Sequence, residues 1–164
     1  MMSKTREDAV WKRVMTVSAE TPEPISRAGR EASWEGLRAA QVMELLVDER
    51  ADACTYETLA RRAQGPARRC LQQLAQDERR HSRKLETVYY LLTGERPCPD
   101  RPKAPCVACL NEELRRRYDA ELTGCACYRK VAEHAGSFRC VFLELAAEEE
   151  CHGRKILNLL QYCL

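Results

Sequence analysis

The sequence predicts an all-α protein built around a bundle of four long helices, with a short additional helix near the N terminus. Four segments rich in Leu, Ala, Glu, Arg and Gln, the residues of highest helix propensity, alternate with short clusters of Gly and Pro. Val and Ile are sparse, and no segment shows the two-residue alternation of a strand. At 164 residues the chain can bury a core of its own without disulfide bonds.

Turn-forming residues set the predicted bounds. Pro22, Pro24 and Gly29 separate residues 1–30, an N-terminal amphipathic helix and linker, from a bundle over residues 31–164. Within that bundle we predict helices A to D at about 33–64, 66–93, 110–135 and 137–163.

The connections predict how the helices are arranged. Two-residue turns at Gly65-Pro66 and Gly136-Ser137 make A and B, and likewise C and D, antiparallel neighbours. The 17 residues from Thr93 to Cys109 reach roughly 50 Å when extended, enough to run back along a helix. One long crossover is therefore predicted between helices B and C.

Composition excludes several classes of protein. Lys and Arg number 27 against 25 Asp and Glu, so the balanced charge argues against a nucleic-acid binder or a polybasic membrane anchor. No apolar run approaches the roughly 18 residues of a membrane span, and the charged N terminus does not resemble a signal peptide. We expect a cytoplasmic protein, whose ten cysteines are reduced thiols.

Each predicted helix carries one apolar stripe that is interrupted at its middle by carboxylates or imidazoles. On helices B and D the interruption is part of a repeat: Leu-Ala-x-x-Glu-x-x-His-x-Arg-Lys, with Glu78 and His81 in the first copy and Glu149 and His152 in the second. On helices A and C, a single Glu precedes a Tyr by seven residues in both. These residues are Glu49 with Tyr56, and Glu121 with Tyr128.

The repeated pattern predicts a site for two metal ions. A Glu and a His three residues apart on a helix project from one face. Together with one Glu from each partner helix they make four carboxylates and two imidazoles, whose charge two divalent cations balance in an apolar core. The predicted ligands are Glu49, Glu78, His81, Glu121, Glu149 and His152. A lone Glu-x-x-His is weak evidence, but here two of the three histidines occupy matching positions, and the third, His134, lies off the stripe.

This pattern resembles the rubrerythrin-like branch of the ferritin-like superfamily over about residues 33–163. The resemblance implies two iron ions, with manganese as an alternative, at the six ligands, and Tyr56 and Tyr128 beside them. It also implies reduction of peroxide or dioxygen with electrons from an external donor such as a rubredoxin-type protein. The alternative is a ferritin-like ferroxidase that binds and stores iron. We expect a homodimer that contacts neither nucleic acid nor a membrane.

Two features depart from the family. Rubrerythrins proper carry a second carboxylate three residues from the first on the third helix, where this chain has Tyr118 and Gly124 around Glu121. Rubrerythrins also usually carry a rubredoxin module with two Cys-x-x-Cys pairs, and residues 1–164 contain one such pair. This single pair, Cys106 and Cys109, is half of such a ligand set. Two roles stay open: Cys98, Cys106 and Cys109 bind zinc or iron with a fourth ligand, or Cys106 and Cys109 form a redox dithiol.

Overall fold

The computed structural model describes residues 36–162, and this part of the chain contains helices and no strand. Its four long helices are α1 (Ala39–Arg62), α2 (Gly65–Thr93), α3 (Leu110–His134) and α4 (Arg139–Tyr162). The prediction of four long helices is confirmed, and their packing is consistent with a helical bundle. The predicted helix within residues 1–30 lies outside the described residues. None of the described helices is both long enough and apolar enough to cross a membrane.

Helix α1 begins at Ala39 rather than near residue 33. Gly36 precedes it with a φ of +130°, in a region that L residues rarely adopt. A Cβ atom on Gly36 would lie 2.5 Å from the carbonyl oxygen of His134, at the end of α3. The chain therefore passes too close to α3 at this point for a residue with a side chain.

The two short turns lie within a few residues of their predicted positions. Gly65 opens α2 and Pro66 lies in its first turn, where a missing N–H costs no hydrogen bond, so the turn itself is Ala63 and Gln64. Between α3 and α4 a 3-10 turn spans Gly136–Phe138, and α4 starts at Arg139 rather than at residue 137.

The connection between α2 and α3 has no regular secondary structure over residues 95–109. It starts at Gly94, whose φ of +75° and N–H bond to the Tyr90 carbonyl end α2 with a left-handed cap. It finishes beside α1, because the Arg62 guanidinium donates to the carbonyl oxygens of Val107 and Ala108. Arg62 is the last residue of α1, so α3 begins at the end of the bundle where α1 finishes.

The interior has a polar layer between two apolar clusters. One cluster includes Leu46, Leu85 and Phe142, and the other includes Leu59, Leu71 and Ile156. The buried polar and charged residues belong to neither cluster: Glu49, Thr55, Asp77, Glu78, His81, Ser82, Glu121, Glu149 and His152. Apolar packing above and below thus holds a group of ionisable side chains away from water.

Candidate metal centre

All six predicted ligands are buried, each with 6% or less of its surface exposed. They come from all four helices: Glu49 from α1, Glu78 and His81 from α2, Glu121 from α3, and Glu149 and His152 from α4. Four of them, the two Glu-x-x-His pairs, offer ligand atoms that lie within 4.8 Å of one another. The structure therefore contains a buried cluster able to hold a metal ion.

The Glu-x-x-His spacing places both side chains of each pair over one turn of helix. On α2, Glu78 Oε2 lies 2.9 Å from His81 Nδ1. On α4, Glu149 Oε2 lies 3.3 Å from His152 Nδ1. Both imidazoles therefore direct the same ring nitrogen, Nδ1, at the cluster.

The glutamates of the two pairs are shared between the two imidazoles. The second oxygen of Glu78, Oε1, lies 2.9 Å from His152 Nδ1. The second oxygen of Glu149, Oε1, lies 2.9 Å from His81 Nδ1. Each of these carboxylates thus presents one oxygen to each histidine, as a ligand that bridges two metal ions would.

The other two glutamates are not shared. Glu49 Oε2 lies 3.1 Å from His81 Nδ1, and Glu121 Oε2 lies 3.5 Å from His152 Nδ1. The cluster therefore divides into two halves, each with one imidazole, one unshared carboxylate and the two shared carboxylates. We call these the His81 half and the His152 half.

The spacing of the ligand atoms suits coordination to metal ions better than hydrogen bonding among the ligands themselves. Glu78 Oε1, Glu149 Oε1 and His152 Nδ1 are buried and have no hydrogen-bond partner, although they approach other donor atoms closely. Ligand atoms at about 2.1 Å from a metal with octahedral geometry lie about 3 Å apart. The nitrogen–oxygen distances in the two halves, 2.9–3.5 Å, match that spacing. Two divalent cations would also neutralise the four carboxylates.

Without cations, the charges in the cluster are balanced by protons. Burial disfavours the imidazolium, but the close carboxylates of Glu121, Glu149 and Glu78 outweigh it and raise the pKa of His152 to about 12. The pKa of His81 is raised for the same reason. Burial raises the pKa of Glu121 to about 8 and that of Glu49 well above its usual range, despite their histidine partners. Each half can therefore hold protons in place of a cation.

Tyr56 and Tyr128 are buried, and each forms a hydrogen bond with the unshared glutamate of the other's helix. Tyr56, on α1, donates its hydroxyl hydrogen to Oε1 of Glu121 on α3. Tyr128, on α3, donates to Oε1 of Glu49 on α1. Each phenol thus occupies one oxygen of an unshared carboxylate and leaves Oε2 directed at a histidine. Burial raises the pKa of both phenols, so both remain proton donors near neutral pH.

Two acidic residues that we did not predict contact the outer nitrogens of the histidines. His81 Nε2 lies 2.5 Å from Glu148 Oε2, and His152 Nε2 lies 3.4 Å from Asp77 Oδ2. Such contacts fix the orientation of a metal-binding imidazole. The sequence signal was present, because Asp77 and Glu148 come immediately before the glutamates of the two Glu-x-x-His pairs.

An ion pair beside the site was also not predicted from the sequence. Arg117, on α3, makes two hydrogen bonds of 2.6 and 2.8 Å to the carboxylate of Asp52 on α1. The same guanidinium lies 5.5 Å from the centre of the Tyr56 ring. Only 13% of the Arg117 side chain is exposed, and it links the two helices that carry the unshared glutamates.

The cysteines of the connection are separate from this cluster. Cys98, Cys106 and Cys109 are exposed, and they do not belong to the group of possible ligands found among the described residues. A second metal or redox site there stays a prediction. Gly124, one of the two positions three residues from Glu121, lies at the site: a Cβ atom there would be 3.6 Å from Glu149 Cγ.

The chain matches no protein-family model, no curated protein and no solved structure at a significant level of similarity. The case for the centre therefore rests on the geometry of its own residues.

Proposed function

We propose that this chain is a ferritin-like protein of the rubrerythrin type, whose dinuclear iron or manganese centre reduces peroxide or dioxygen with electrons from an external donor. The observation that carries the proposal is the sharing of Glu78 and Glu149 between His81 and His152. A mononuclear site needs no carboxylate that faces two imidazoles. Mixed carboxylate and imidazole ligation suits iron and manganese.

The course of the chain supports the ferritin-like part of this proposal. The hydrogen bonds from Arg62 to Val107 and Ala108 hold the end of the α2–α3 connection at the finish of α1. With that placement α2 and α3 run in the same direction, as a bundle with one long crossover requires. Each antiparallel pair then contributes one unshared Glu and one Glu-x-x-His pair to the centre.

The chemistry requires two electrons at one place. Two ferrous ions held by the six ligands would supply both electrons for cleavage of an O–O bond, without release of a radical. The protein side chains provide the orientation. Glu148 and Asp77 hold His81 and His152 with Nδ1 toward the centre, while Tyr128 and Tyr56 each occupy the outer oxygen of an unshared glutamate.

A ferroxidase that binds and stores iron is the second candidate. It is favoured by the carboxylates of Asp48 and Asp52, which lie with Glu49 on a cavity leading to the centre, because an acidic approach attracts cations. Storage requires a closed shell of many subunits, which size-exclusion chromatography detects. A monomer or dimer would leave the oxidoreductase as the supported function.

Anaerobic reconstitution with ferrous iron tests the proposal. We expect about two iron ions per chain, as the two halves of the cluster require. On addition of peroxide and a chemical reductant, the reconstituted protein should consume many equivalents of peroxide. His152→Ala should lose iron and turnover, whereas the matched variant His134→Ala, at an exposed histidine, should keep both. An iron content near zero in the wild type would refute the metal centre. Two bound ions without repeated peroxide or dioxygen consumption would refute the oxidoreductase alone.

A further inference from the structure

A cavity of about 380 Å³ lies between α1 and α3 and reaches the metal centre. Its charged lining consists of Asp48, Glu49 and Asp52 from α1, Arg117 and Glu121 from α3, and Glu149 from α4. Among the described residues that line it, five are carboxylates and one is a guanidinium. Acidic side chains thus outnumber basic ones in the lining of the cavity.

The cavity meets the centre on its carboxylate side. Glu49, Glu121 and Glu149 line it, whereas His81, His152 and Glu78 are not among its described lining residues. Glu149 is 4% exposed, and its Oε1 has no hydrogen-bond partner. Gly124 also lines the cavity next to Glu149, so no side chain from that position separates the carboxylate from the open space.

The carboxylates outside the centre form a series along α1. Glu44, Asp48 and Asp52 follow one another at four-residue intervals, which places them on one face of the helix. Glu44 and Asp48 are exposed, and the Asp52 side chain is 31% exposed. Negative charge therefore extends from solvent along α1 to the depth of Glu49.

We propose that this cavity is the entry route by which divalent metal ions reach the centre, with the exposed Asp48 as the outer carboxylate and the less exposed Asp52–Arg117 pair further in. This inference rests on the proposed dinuclear centre. Peroxide and dioxygen are neutral and gain little from the acidic lining, and an anionic substrate is repelled by it. A divalent cation is the ligand that this acidic lining selects, because oxygen donors and net negative charge both favour it.

Arg117 has a specific place in this route. A route for ions must attract them without retaining them. Because Arg117 already makes two hydrogen bonds to Asp52, this carboxylate holds a passing cation less tightly than an unpaired one would. The strongest site is then the cluster itself, and ions move on to it.

The loading rate tests the route separately from the equilibrium content of metal. Apoprotein is mixed with Co²⁺ in a stopped-flow instrument, and the absorbance of bound Co²⁺ is followed. We expect Asp48→Asn to lower the second-order rate constant about 3- to 10-fold at low ionic strength, and added salt to reduce the difference. Thr123→Leu, which narrows the cavity from α3 without changing its charge, should also slow loading.

The matched control is Asp100→Asn, which removes the same charge from an exposed aspartate of the α2–α3 connection. It should load at the wild-type rate, and all variants should finish with two Co²⁺ per chain and an unchanged melting temperature of the apoprotein. Wild-type rates in both Asp48→Asn and Thr123→Leu, with two ions bound, would overturn the route and leave the proposed function standing. A wild-type protein that binds no Co²⁺ or Fe²⁺ would overturn both.

Discussion

Glu78 on α2 and Glu149 on α4 divide their carboxylate oxygens between the same two imidazoles. Glu78 lies 2.9 Å from His81 and 2.9 Å from His152, while Glu149 lies 2.9 and 3.3 Å from them. The relationship follows from the internal repeat, because two copies of one helical hairpin face each other and each contributes half of the cluster. The two halves are therefore expected to respond alike to equivalent substitutions.

The unshared glutamates give the first prediction. Glu121→Ala removes the carboxylate that only the His152 half uses, and leaves the Tyr56 hydroxyl buried without its acceptor. We expect about one metal ion per chain instead of two, and nearly complete loss of turnover. Glu49→Ala should give the same result through the His81 half. Metal analysis after reconstitution measures both, with the exposed Glu133→Ala as the matched control on α3. Two ions and full peroxide reduction in Glu121→Ala would place the dinuclear site elsewhere.

A buried cluster of glutamates and histidines was predictable from the sequence because the residues that form it are periodic. The polar residues within each apolar stripe, such as Glu49 and Glu121, become buried when the apolar faces of the helices pack together. Two-residue turns and the repeat then fix which helices are neighbours. Local pattern and tertiary packing agree at these positions, so the sequence was sufficient.

Other contacts depend on three-dimensional features that periodicity does not encode. Helix α1 begins later in the sequence than predicted, after Gly36, where the backbone passes close to His134, a residue almost a hundred positions away. Arg117 looks like part of a solvated Arg-Arg-Arg run, yet it pairs with Asp52 across the gap between α1 and α3. Helical spacing predicts which face a residue occupies, but it does not predict its partner on another helix.

The outer carboxylates give the second prediction. Glu148→Gln weakens the contact that orients His81, so we expect metal affinity to fall about 10- to 100-fold in the His81 half. Competition with a coloured chelator measures the affinity. Glu148 is a better test than Asp77, because the buried Asp77 also bonds to three further side chains and its loss would disturb folding.

The matched control for this prediction is Glu144→Gln, one turn earlier on α4. Glu144 is exposed, and both Glu144 and Glu148 lie 3.1 Å from the Lys84 ammonium. Of these two described glutamates, Glu148 is the one that also contacts His81. Glu144→Gln therefore removes the same charge beside Lys84 and should keep wild-type metal affinity. Equal affinities in the two variants would show that Glu148 does not orient the imidazole.

The third prediction concerns protons. In the apoprotein the pKa of His152 is raised to about 12, that of Glu121 to about 8, and those of His81 and Glu49 are also raised. The protonated forms of His152 and Glu121 therefore predominate at pH 7, the raised pKa values of His81 and Glu49 favour their protonated forms as well, and metal ions bind only after these protons leave. Binding should release about two to four protons per chain, and affinity should rise with pH because protons compete with the metal.

Calorimetry at pH 7 in two buffers with different ionisation enthalpies measures the released protons. Repeating the titration at pH 6 and pH 8 gives the sign of the pH dependence. His152→Ala should release fewer protons, since one of the four groups is absent. Binding without proton release, or affinity that falls as pH rises, would show that the imidazoles and unshared carboxylates are already deprotonated before the metal arrives.

The exposed cysteine pair gives the last prediction. Cys106 and Cys109 flank Val107 and Ala108, whose carbonyl oxygens accept hydrogen bonds from Arg62. Because Val107 is buried and the two thiols are exposed, replacing both cysteines by serine should leave the course of the connection unchanged. We expect two metal ions per chain, an unchanged melting temperature and unchanged single-turnover reaction with peroxide. If the pair is a redox dithiol, only the rate at which a donor re-reduces the centre should fall. Cys140→Ser, at an exposed cysteine of α4, is the matched control. A drop in metal content for the double variant, but not for Cys140→Ser, would show that the connection contributes ligands to a metal site of its own.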